Sequence, residues 1–313
     1  MLEGARVYVA GHRGLVGSAI VRRLAREPLG ELIVRPRAEL DLCDARAVED
    51  FFARERPTHV FLAAARVGGI LANKTRKAEF LRENLLIQTH TIHAAWKHGA
   101  ERLLFLGSSC IYPRGAPQPL REESLFSGPL EETNDAYAMA KLAGIATCRA
   151  YCEQYGFSSV CLQPTNLYGP GDNFDLETSH VLPALLRKAH EAKLAGAPTL
   201  EVWGTGAPRR EFLHVDDLAD ACVFLMERAP GRAEVYNVGT GEDLTIRELA
   251  ALVCEVTGYR GELAFDPSRP DGVPRKLLDV SRLAALGWRA RIPLREGLER
   301  TYRWYLEHGP TRG

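Results

Sequence analysis

The sequence predicts an α/β protein built on a doubly wound parallel sheet. Over the first half of the chain, short apolar runs rich in β-branched and aromatic residues alternate with segments of helical periodicity. Strands and helices that alternate at this spacing are typical of a parallel sheet with helices on both faces. The predicted strands are Arg6–Ala10, Leu32–Arg35, His59–Ala63 and Leu103–Leu106, and the predicted helices are Val16–Arg26, Ala45–Glu55 and Phe80–His98.

The second half of the chain is punctuated differently. Proline and glycine at positions 164 and 169–171 predict loops, after which regular elements resume. Thr245 and Glu248 have the spacing of a capping box, which predicts the start of a helix. The elements expected in this half are a helix at Val181–Ala192, a strand at Leu200–Trp203, a strand at Glu234–Val238 that returns to the main sheet, and a helix at Thr245–Thr257.

The composition excludes a protein that binds through a general basic surface. Lys and Arg number 40, Asp and Glu also number 40, and the formal net charge is zero. Nucleic-acid and membrane-surface partners are therefore not expected. The chain enters a strand almost at once and has no apolar run of membrane length, so we expect a cytoplasmic protein. Its seven cysteines lack CxxC or metal-ligand spacing, which predicts no metal site. Six of them lie mostly in apolar-periodic segments and are expected to be buried, inert thiols: Cys43, Cys148, Cys152, Cys161, Cys222 and Cys254.

A glycine-rich turn follows the first predicted strand. The run Gly11-His12-Arg13-Gly14-Leu15-Val16-Gly17 has GxxGxxG spacing and leads directly into a predicted helix. Glycine permits the tight turn, a close approach of the backbone to a pyrophosphate, and close helix–strand packing. The position between a strand and a helix therefore predicts a dinucleotide site on a Rossmann-type sheet.

The end of the second predicted strand indicates which dinucleotide is bound. A carboxylate at that position would bind the ribose 2′-hydroxyl of NAD, whereas Arg37 suits the 2′-phosphate of NADP. Arg13, within the glycine turn, could bind the same phosphate. Two cations at one corner of the site favour NADP(H) binding over the alternative that both arginines are simply solvated on the surface. Asp41 could lie near the adenine, and the segment 41–44 could equally cap the next helix.

These features divide the chain into two units. We expect residues 1–165 to form an NADP-binding Rossmann domain, to which the chain returns near residues 212–238. Residues 166–211 and 239–313 are then expected to form a smaller C-terminal α/β lobe that binds the substrate.

Three side chains have the pattern of a catalytic group. Tyr137 and Lys141 are four residues apart, so on a helix they share one face, and a nearby ammonium would lower the pKa of a phenol. The phenol could then exchange a proton with a carbonyl or alcohol oxygen. Ser108 directly follows the strand Leu103–Leu106, where open α/β sheets bind ligands, and its hydroxyl could stabilise charge on the same oxygen.

Longer motifs carry a resemblance that covers essentially the full length of the chain. It is similar to the GDP-L-fucose synthase family of extended short-chain dehydrogenase/reductases. The matching motifs are Ala10-Gly11-His12-Arg13-Gly14, Ala63-Ala64-Ala65-Arg66-Val67-Gly68-Gly69-Ile70, Gly107-Ser108-Ser109-Cys110-Ile111-Tyr112-Pro113, Pro164-Thr165-Asn166-Leu167-Tyr168-Gly169-Pro170, Ser179-His180-Val181 with Pro183-Ala184-Leu185-Leu186, and Arg210-Glu211-Phe212-Leu213-His214-Val215-Asp216-Asp217.

The resemblance implies two activities in one site. GDP-4-keto-6-deoxy-D-mannose would be epimerised at C3 and C5 and then reduced at C4 by NADPH, which gives GDP-L-fucose. Cys110 looks like the base and His180 like the acid, while Ser108 and Tyr137 would hold the C4 oxygen and Tyr137 would deliver the final proton. Without the resemblance, a cysteine at a strand end is more often structural, and a lone histidine is more often a surface or capping residue.

The resemblance also implies binding positions. Lys188 could equally be a solvated helix residue and Trp203 a core residue, and the segment 214–217 is expected to cap a helix. A homodimer is expected through the helices Phe80–His98 and Tyr137–Tyr155, although an apolar helix face also packs within a chain. The implied cofactor positions are the run from Gly11 to Gly17, Arg37, Asp41, Leu106, Gly107, Ser108, Ser109, Lys141, Pro164, Thr165, Asn166, Leu167 and His180, and the implied substrate positions are Lys188, Trp203, Arg210 and Asp271.

Two other functions stay open on the sequence. A nucleotide-sugar C4 epimerase or 4,6-dehydratase would recycle tightly held NAD, and Arg13 and Arg37 argue against that cofactor. A non-catalytic NADP-binding sensor would keep the glycine turn and would be expected to lack Tyr137 or Lys141, both of which are present.

Overall fold

A six-stranded parallel sheet is the centre of the computed structural model, which describes residues 2–269 and 271–310. Every pair of neighbouring strands is parallel, so the predicted doubly wound sheet is confirmed. The outer limits of the two predicted units, residues 1 and 313, lie outside the described residues. In spatial order the strands are β10 (Arg232–Val238), β5 (Ser158–Pro164), β4 (Arg102–Leu106), β3 (His59–Leu62), β1 (Arg6–Ala10) and β2 (Glu31–Ile33).

The two faces of the sheet are covered by different helices. Alternating residues of β1 separate the faces, because side chains point to opposite sides along a strand. Val7 and Val9 belong to one apolar core, and Tyr8 and Ala10 belong to another. The first core contains residues of α1 (Leu15–Leu24) and α7 (Val215–Arg228), and the second contains residues of α2 (Ala45–Glu55), α4 (Lys77–Lys97) and α5 (Asp135–Tyr155).

A third apolar core lies in the later part of the chain, with its own helices and small sheets. The helices of this core are α6 (Val181–Leu194), α8 (Ile246–Thr257) and α10 (Leu294–His308). Two short helices lie outside it, α3 (Ile70–Thr75) and α9 (Ser281–Ala285). The small sheets pair β7 (Thr199–Trp203) with β12 (Glu262–Asp266), β6 (Asn166–Tyr168) with β9 (Phe212–His214), and β8 (Arg209–Arg210) with both β11 (Leu244–Thr245) and β13 (Arg275–Lys276).

The predicted elements agree with the structure to within a few residues. The largest difference is at α4, which begins at Lys77 and not at Phe80, and the second strand ends at Ile33 and not at Arg35. The Val34 carbonyl accepts a hydrogen bond from Arg35 Nη1 at 2.8 Å, and Pro36 has no N–H to donate to a neighbouring strand. The predicted return to the main sheet is confirmed, because β10 pairs with β5.

Helix capping agrees with the local sequence. Thr245 and Glu248 form the predicted capping box at the start of α8. His214 caps α7, because its Nδ1 accepts a hydrogen bond from the Asp216 N–H at 3.2 Å. Asp44 caps α2 by accepting hydrogen bonds from two backbone N–H groups, whereas Asp41 accepts one from the Cys43 N–H, before the helix begins. The helix-capping role in segment 41–44 therefore belongs to Asp44.

The prediction that the cysteines are mostly buried is only partly correct. Cys148, Cys161 and Cys222 are buried. Cys43, Cys152 and Cys254 are partly exposed, as is Cys110, which is not among the cysteines expected to be buried. Cys152 and Cys254 each pack against the outside of an apolar core. Within the described residues, no three His, Cys, Asp or Glu side chains are placed to share a metal ion. No described helix is both long enough and apolar enough to cross a membrane.

Candidate active site

The predicted site residues gather at the carboxyl edge of the sheet. The strand order reverses between β3 and β1, and such a switch point leaves a crevice where open α/β sheets bind ligands. The glycine turn follows β1, and Gly107, Ser108 and Ser109 follow β4, whose last residue is Leu106. Pro164 ends β5, the neighbour of β4, and Thr165, Asn166 and Leu167 come directly after it. Three strand ends therefore supply the predicted cofactor positions.

The glycine turn is packed so closely that two of its positions exclude a side chain. Gly11 has a φ of 83°, and a Cβ there would lie 2.8 Å from the Ala64 backbone. A Cβ on Gly17 would lie 2.0 Å from the Gly11 carbonyl oxygen. Gly14 is the N-cap of α1, with no capping side chain and no acidic residue in the first turn, which includes Leu15, Val16 and Gly17. The free N–H groups at this helix start suit a phosphate.

One exposed arginine lies in this turn and a second follows β2, at the two positions on which the NADP prediction rests. Arg13 is exposed within the turn, beside the partly exposed His12. The Arg37 side chain is 71% exposed, and its guanidinium is 3.6 Å from an Asp41 carboxylate oxygen and 3.9 Å from one of Glu83. Exposed ion pairs of this length contribute little free energy, so Arg37 can turn toward an anion at small cost.

A buried glutamine ties β4 to β5 below the predicted catalytic residues. Gln163 Oε1 accepts a hydrogen bond from the Ser108 N–H at 2.8 Å, and the Gly107 N–H donates to the Leu162 carbonyl at 2.8 Å. Ser108 in turn caps the short 3-10 helix Ser109–Ile111, since its Oγ accepts from the Cys110 N–H at 3.1 Å. Hydrogen bonds to Gln163 and to the Ser108 side chain thus hold the backbone that carries Ser108 and Cys110.

Four reactive side chains meet beside the short 3-10 helix that follows β4. Ser108 and Cys110 leave the end of β4, and Tyr137 approaches from α5. Lys276, on β13, donates a hydrogen bond to Cys110 Sγ over 3.2 Å. Burial raises the pKa of the Cys110 thiol, but Lys276, Ser108 and Arg210 together lower it more, so that the pKa lies below the usual thiol value. The site therefore stabilises the thiolate relative to a free cysteine.

The pKa of Tyr137 is shifted in the opposite direction to the sequence prediction. Burial raises the pKa of Tyr137, and the neighbouring Cys110 charge raises it further, while hydrogen bonding with Ser108 lowers it. Lys141 does not offset this, because its ammonium is 6.0 Å from the centre of the Tyr137 ring and donates to the Leu106 carbonyl oxygen at 2.7 Å. The expectation that Lys141 lowers the phenol pKa is wrong for this arrangement, in which Tyr137 holds its proton.

His180 lies at the start of α6, where it is the N-cap without a capping hydrogen bond from its side chain. The residue is exposed, yet loss of water around the imidazole lowers its pKa, and repulsion from the Lys276 ammonium lowers that pKa further. Lys276 thus acts electrostatically on both Cys110 and His180, which places the two predicted proton-transfer groups around one cation.

The segment after β5 is held by backbone contacts. The Thr165 N–H donates to the Val238 carbonyl at 3.0 Å, and the Asn166 side-chain amide donates to the Glu211 carbonyl at 2.8 Å. Glu211 is fully buried, and its carboxylate accepts hydrogen bonds from the backbone N–H groups of Gly241 and Leu278. This network joins β5, β10 and the strand that carries Lys276.

The predicted substrate positions form two groups. Trp203 is 53% exposed, with the Lys188 ammonium 5.0 Å and the Arg269 guanidinium 4.9 Å from its ring centre. Trp203 is therefore not a core residue, and Lys188 is not simply solvated. In the second group, Arg210 interacts electrostatically with both Cys110 and Asp271, whose carboxylate accepts from the N–H and hydroxyl of Thr205 at 2.7 and 2.8 Å.

Sequence reasoning missed three residues of this region. Lys276 and Arg269 lie in the irregular segment after β12, where no periodicity indicates what they face. Gln163 lies within an apolar strand, and a polar residue in a buried strand is the one signal that could have marked it. Arg209, which precedes Arg210 in the chain, does not join this group, because its guanidinium donates to Asp243 Oδ1 at 2.8 Å.

The fold and the glycine turn define the class of protein. The sequence model of the NAD dependent epimerase/dehydratase family matches residues 7–239, and the chain belongs to that family. It is 58% identical over 306 residues to GDP-L-fucose synthase 1 of Arabidopsis thaliana, a match that covers 98% of this chain and 94% of the relative. Within the wider family, the chain therefore belongs to the GDP-L-fucose synthases.

Two further comparisons agree with that placement. GDP-L-fucose synthase of Escherichia coli K12 is 54% identical over 312 residues, and the match covers 97% of each chain. A GDP-D-glycero-L-gluco-heptose synthase from Campylobacter jejuni, solved in the presence of NADPH, is 37% identical with a TM-score of 0.92. That match covers 98% of this chain and 99% of the solved one.

Proposed function

We propose that the protein converts GDP-4-keto-6-deoxy-D-mannose to GDP-L-fucose by epimerisation at C3 and C5 and then reduction at C4. The observation that carries this proposal is the grouping of Ser108, Cys110 and Tyr137 at the end of β4, in a chain that belongs to the GDP-L-fucose synthases. A reductase alone would need the hydroxyl pair, whereas a thiol beside it suits proton removal from carbon.

The hydroxyl groups of Ser108 and Tyr137 bind the C4 oxygen of the substrate. A 4-keto group makes the protons on C3 and C5 acidic, because either carbanion is stabilised as an enolate. Donors fixed at the C4 oxygen stabilise the enolate and later the alkoxide, and fixed donors cost no reorganisation during the reaction. Because its raised pKa keeps Tyr137 protonated, the phenol can donate throughout and deliver the last proton.

Cys110 and His180 carry the epimerisation. Inversion at a carbon needs a base on one face and an acid on the other. The pKa of Cys110 is lowered, which favours the thiolate as the base. The pKa of His180 is also lowered, which makes the imidazolium a stronger acid but reduces the fraction of the histidine that is protonated. The assignment of the acid role to His180 follows the resemblance, and the lowered pKa of Cys110 supports its role as the base.

NADPH is the cofactor we assign to the glycine turn. When bound, it supplies the hydride that reduces C4. The residues fit it: the N–H groups at the start of α1 suit the pyrophosphate, and the exposed Arg13 and Arg37 suit a 2′-phosphate. Lys141, on α5, places its ammonium at the end of β4, where the ammonium can exchange the Leu106 carbonyl for a ribose hydroxyl. The solved relative crystallised with NADPH supports this choice.

The GDP part is assigned to the later lobe. The exposed Trp203 ring offers a stacking surface, and Lys188 supplies a cation beside it for the diphosphate. Arg210 lies near both Cys110 and Asp271, so it can contact the diphosphate close to the reacting sugar. Asp271 can bind the guanine or hold the turn at Thr205, to which it is bonded in the structure.

The same proposal includes the organisation and location of the protein. Residues 1–165 with 212–238 would bind NADPH, and residues 166–211 and 239–313 would bind the GDP-sugar. A homodimer through α4 and α5 is part of this proposal, and the Tyr155 ring, which stacks on Trp96 of the same chain at 4.2 Å, is 46% exposed at the end of α5. We place the protein in the cytoplasm.

A direct turnover assay tests the function. The protein is incubated with GDP-4-keto-6-deoxy-D-mannose and either NADPH or NADH, and the product is identified by NMR. We expect NADPH oxidation matched by an equal amount of GDP-L-fucose. If the product is instead an unepimerised 4-hydroxy sugar, the protein is a C4 reductase without epimerase activity. No oxidation, with interconversion of C4 epimers instead, would favour an NAD-recycling epimerase, and binding without turnover would favour a sensor.

A further inference from the structure

Lys276 contacts a reactive side chain of the site that is distant from it in the sequence. Its ammonium lies 3.2 Å from Cys110 Sγ, although 166 residues separate the two in the chain. Lys276 forms no ion pair with a carboxylate anywhere in residues 2–269 and 271–310. A half-buried cation without an acidic partner is costly unless another anion balances it. The thiolate of Cys110 is the anion within reach.

The strand that carries Lys276 is anchored on both sides. β13 pairs in parallel with β8, with Lys276 opposite Arg210. Asp243 holds the two strands together, because its carboxylate accepts hydrogen bonds from Arg209 on β8 and Arg275 on β13. After Lys276, the Leu277 N–H donates to Gln118 Oε1 at 2.9 Å, and the Leu278 N–H donates to the buried Glu211 at 3.0 Å. The lysine backbone is therefore fixed before substrate arrives.

The surroundings of the thiol are cationic or neutral. His180 is close enough to Lys276 to be affected by its charge, which disfavours a second cation there. The groups that face Cys110 from the elements packed around it are the Ser108 hydroxyl after β4, the Tyr137 phenol on α5, the Arg210 guanidinium on β8 and the Lys276 ammonium on β13.

We propose that Lys276 is a positioning residue that holds Cys110 as a thiolate in the resting enzyme, ready to act as the base assigned to it above. This inference rests on the proposed function. The thiolate takes the proton from C3 or C5, and the electron pair of the C–H bond enters the enolate. A neutral thiol then lies beside the Lys276 ammonium, and the carbon accepts a proton from the His180 imidazolium on the other face. The thiol loses its proton to water, and the imidazole regains one from water.

The pH dependence of Cys110 alkylation tests this pairing without substrate. Iodoacetamide reacts with the thiolate, so the midpoint of its rate against pH reports the thiol pKa. Wild type, Lys276→Met and Lys276→Arg are compared by mass spectrometry of the peptide that contains Cys110. Because an opposite charge within hydrogen-bond reach lowers an acid pKa by about 1–3 units, we expect the midpoint to rise by about one unit or more in Lys276→Met. Lys276→Arg should keep most of the wild-type midpoint.

Two internal controls separate charge from disruption of the strand. Arg275→Met removes the neighbouring cation of β13, which faces Asp243, and should leave the Cys110 midpoint unchanged. Cys254, which is partly exposed and distant in the chain, should alkylate identically in every variant. An unchanged midpoint in Lys276→Met, or an equal shift in Lys276→Met and Arg275→Met, would overturn the proposal.

The alkylation result and the turnover result can be told apart, so either claim can fail without the other. A shifted midpoint in Lys276→Met, with a wild type that does not epimerise the sugar, would keep the Lys276–Cys110 pair and refute the epimerase. An epimerising wild type with an unshifted Lys276→Met midpoint would keep the epimerase and refute the role of Lys276.

Discussion

Lys141 Nζ donates a hydrogen bond to the Leu106 carbonyl oxygen over 2.7 Å, which anchors a buried ammonium to the last residue of β4. The same strand end leads directly into Ser108 and Cys110. Burial lowers the pKa of Lys141 to about 8, because the charged form loses water that one carbonyl replaces only in part. The site therefore keeps a cation where the fold alone would favour a neutral side chain.

This burial predicts a pH-dependent cost to stability. Below pH 8, Lys141 is protonated in both folded and unfolded chains, so the full cost is present. Between about pH 8 and 10.4 the folded protein has lost a proton that the unfolded chain keeps, so stability rises with pH. Relative to Lys141→Met, the wild type should gain up to about 3 kcal/mol across that interval in denaturant titrations. A difference between the two proteins that is constant with pH would contradict this account.

The close contact beneath Gly17 predicts a specific sensitivity in the glycine turn. In Gly17→Ala, the new methyl group would overlap the Gly11 carbonyl oxygen, so the turn must shift. We expect a loss of about 1–3 kcal/mol in unfolding free energy, together with weaker NADPH binding by calorimetry. Gly14→Ala is the matched control for stability, since its Cβ would lie 3.4 Å from the same oxygen. Equal melting temperatures for the two variants would show that the contact is not restrictive.

Arg37 is predicted to determine the choice of cofactor. Removing a charge-assisted contact to the 2′-phosphate in Arg37→Ala should lower kcat/KM for NADPH about 10- to 100-fold and leave NADH turnover nearly unchanged. Arg35→Ala is the control, because Arg35 pairs with Glu55 at 2.9 Å. That variant should change thermal stability and not the NADPH to NADH ratio. A preserved preference in Arg37→Ala would assign the phosphate to another group.

The pH profile of epimerisation should reflect two lowered pKa values. The thiolate of Cys110 is present above its pKa, and the imidazolium of His180 is present below its own, so the product of the two fractions peaks midway between them. Ordinary values of about 8.5 and 6.5 would give a maximum near about pH 7.5, and both pKa values are lowered here. Exchange of the C3 and C5 protons should therefore be fastest below about pH 7.5. An optimum on the alkaline side would require different groups.

Local features of the fold could be read from the sequence because their causes are local. The GxxGxxG spacing fixes a strand–turn–helix over seven residues, and the capping box of Thr245 and Glu248 spans a single helical turn. The return of β10 to the main sheet was also predictable, since a late β-branched run needs a partner.

The parts that escaped prediction depend on contacts between distant segments. Lys276 lies on a two-residue strand whose place is set by Asp243 and Glu211, and nothing in the segment 270–276 names Cys110 as its neighbour. The direction of the Tyr137 pKa was misjudged because helical spacing places Lys141 on the same face but does not fix the direction of its ammonium. In the structure, that ammonium turns to Leu106.

The central claim is that one site both epimerises and reduces the sugar, and deuterium labelling tests it most directly. Wild type and Cys110→Ser are supplied with GDP-4-keto-6-deoxy-D-mannose and NADPH in D2O, and the products are analysed by mass spectrometry and NMR. The account predicts GDP-L-fucose with one deuterium at C3 and one at C5 from wild type, and loss of that label in Cys110→Ser. NADPH oxidation by wild type without label at either carbon, or full label in Cys110→Ser, would contradict it.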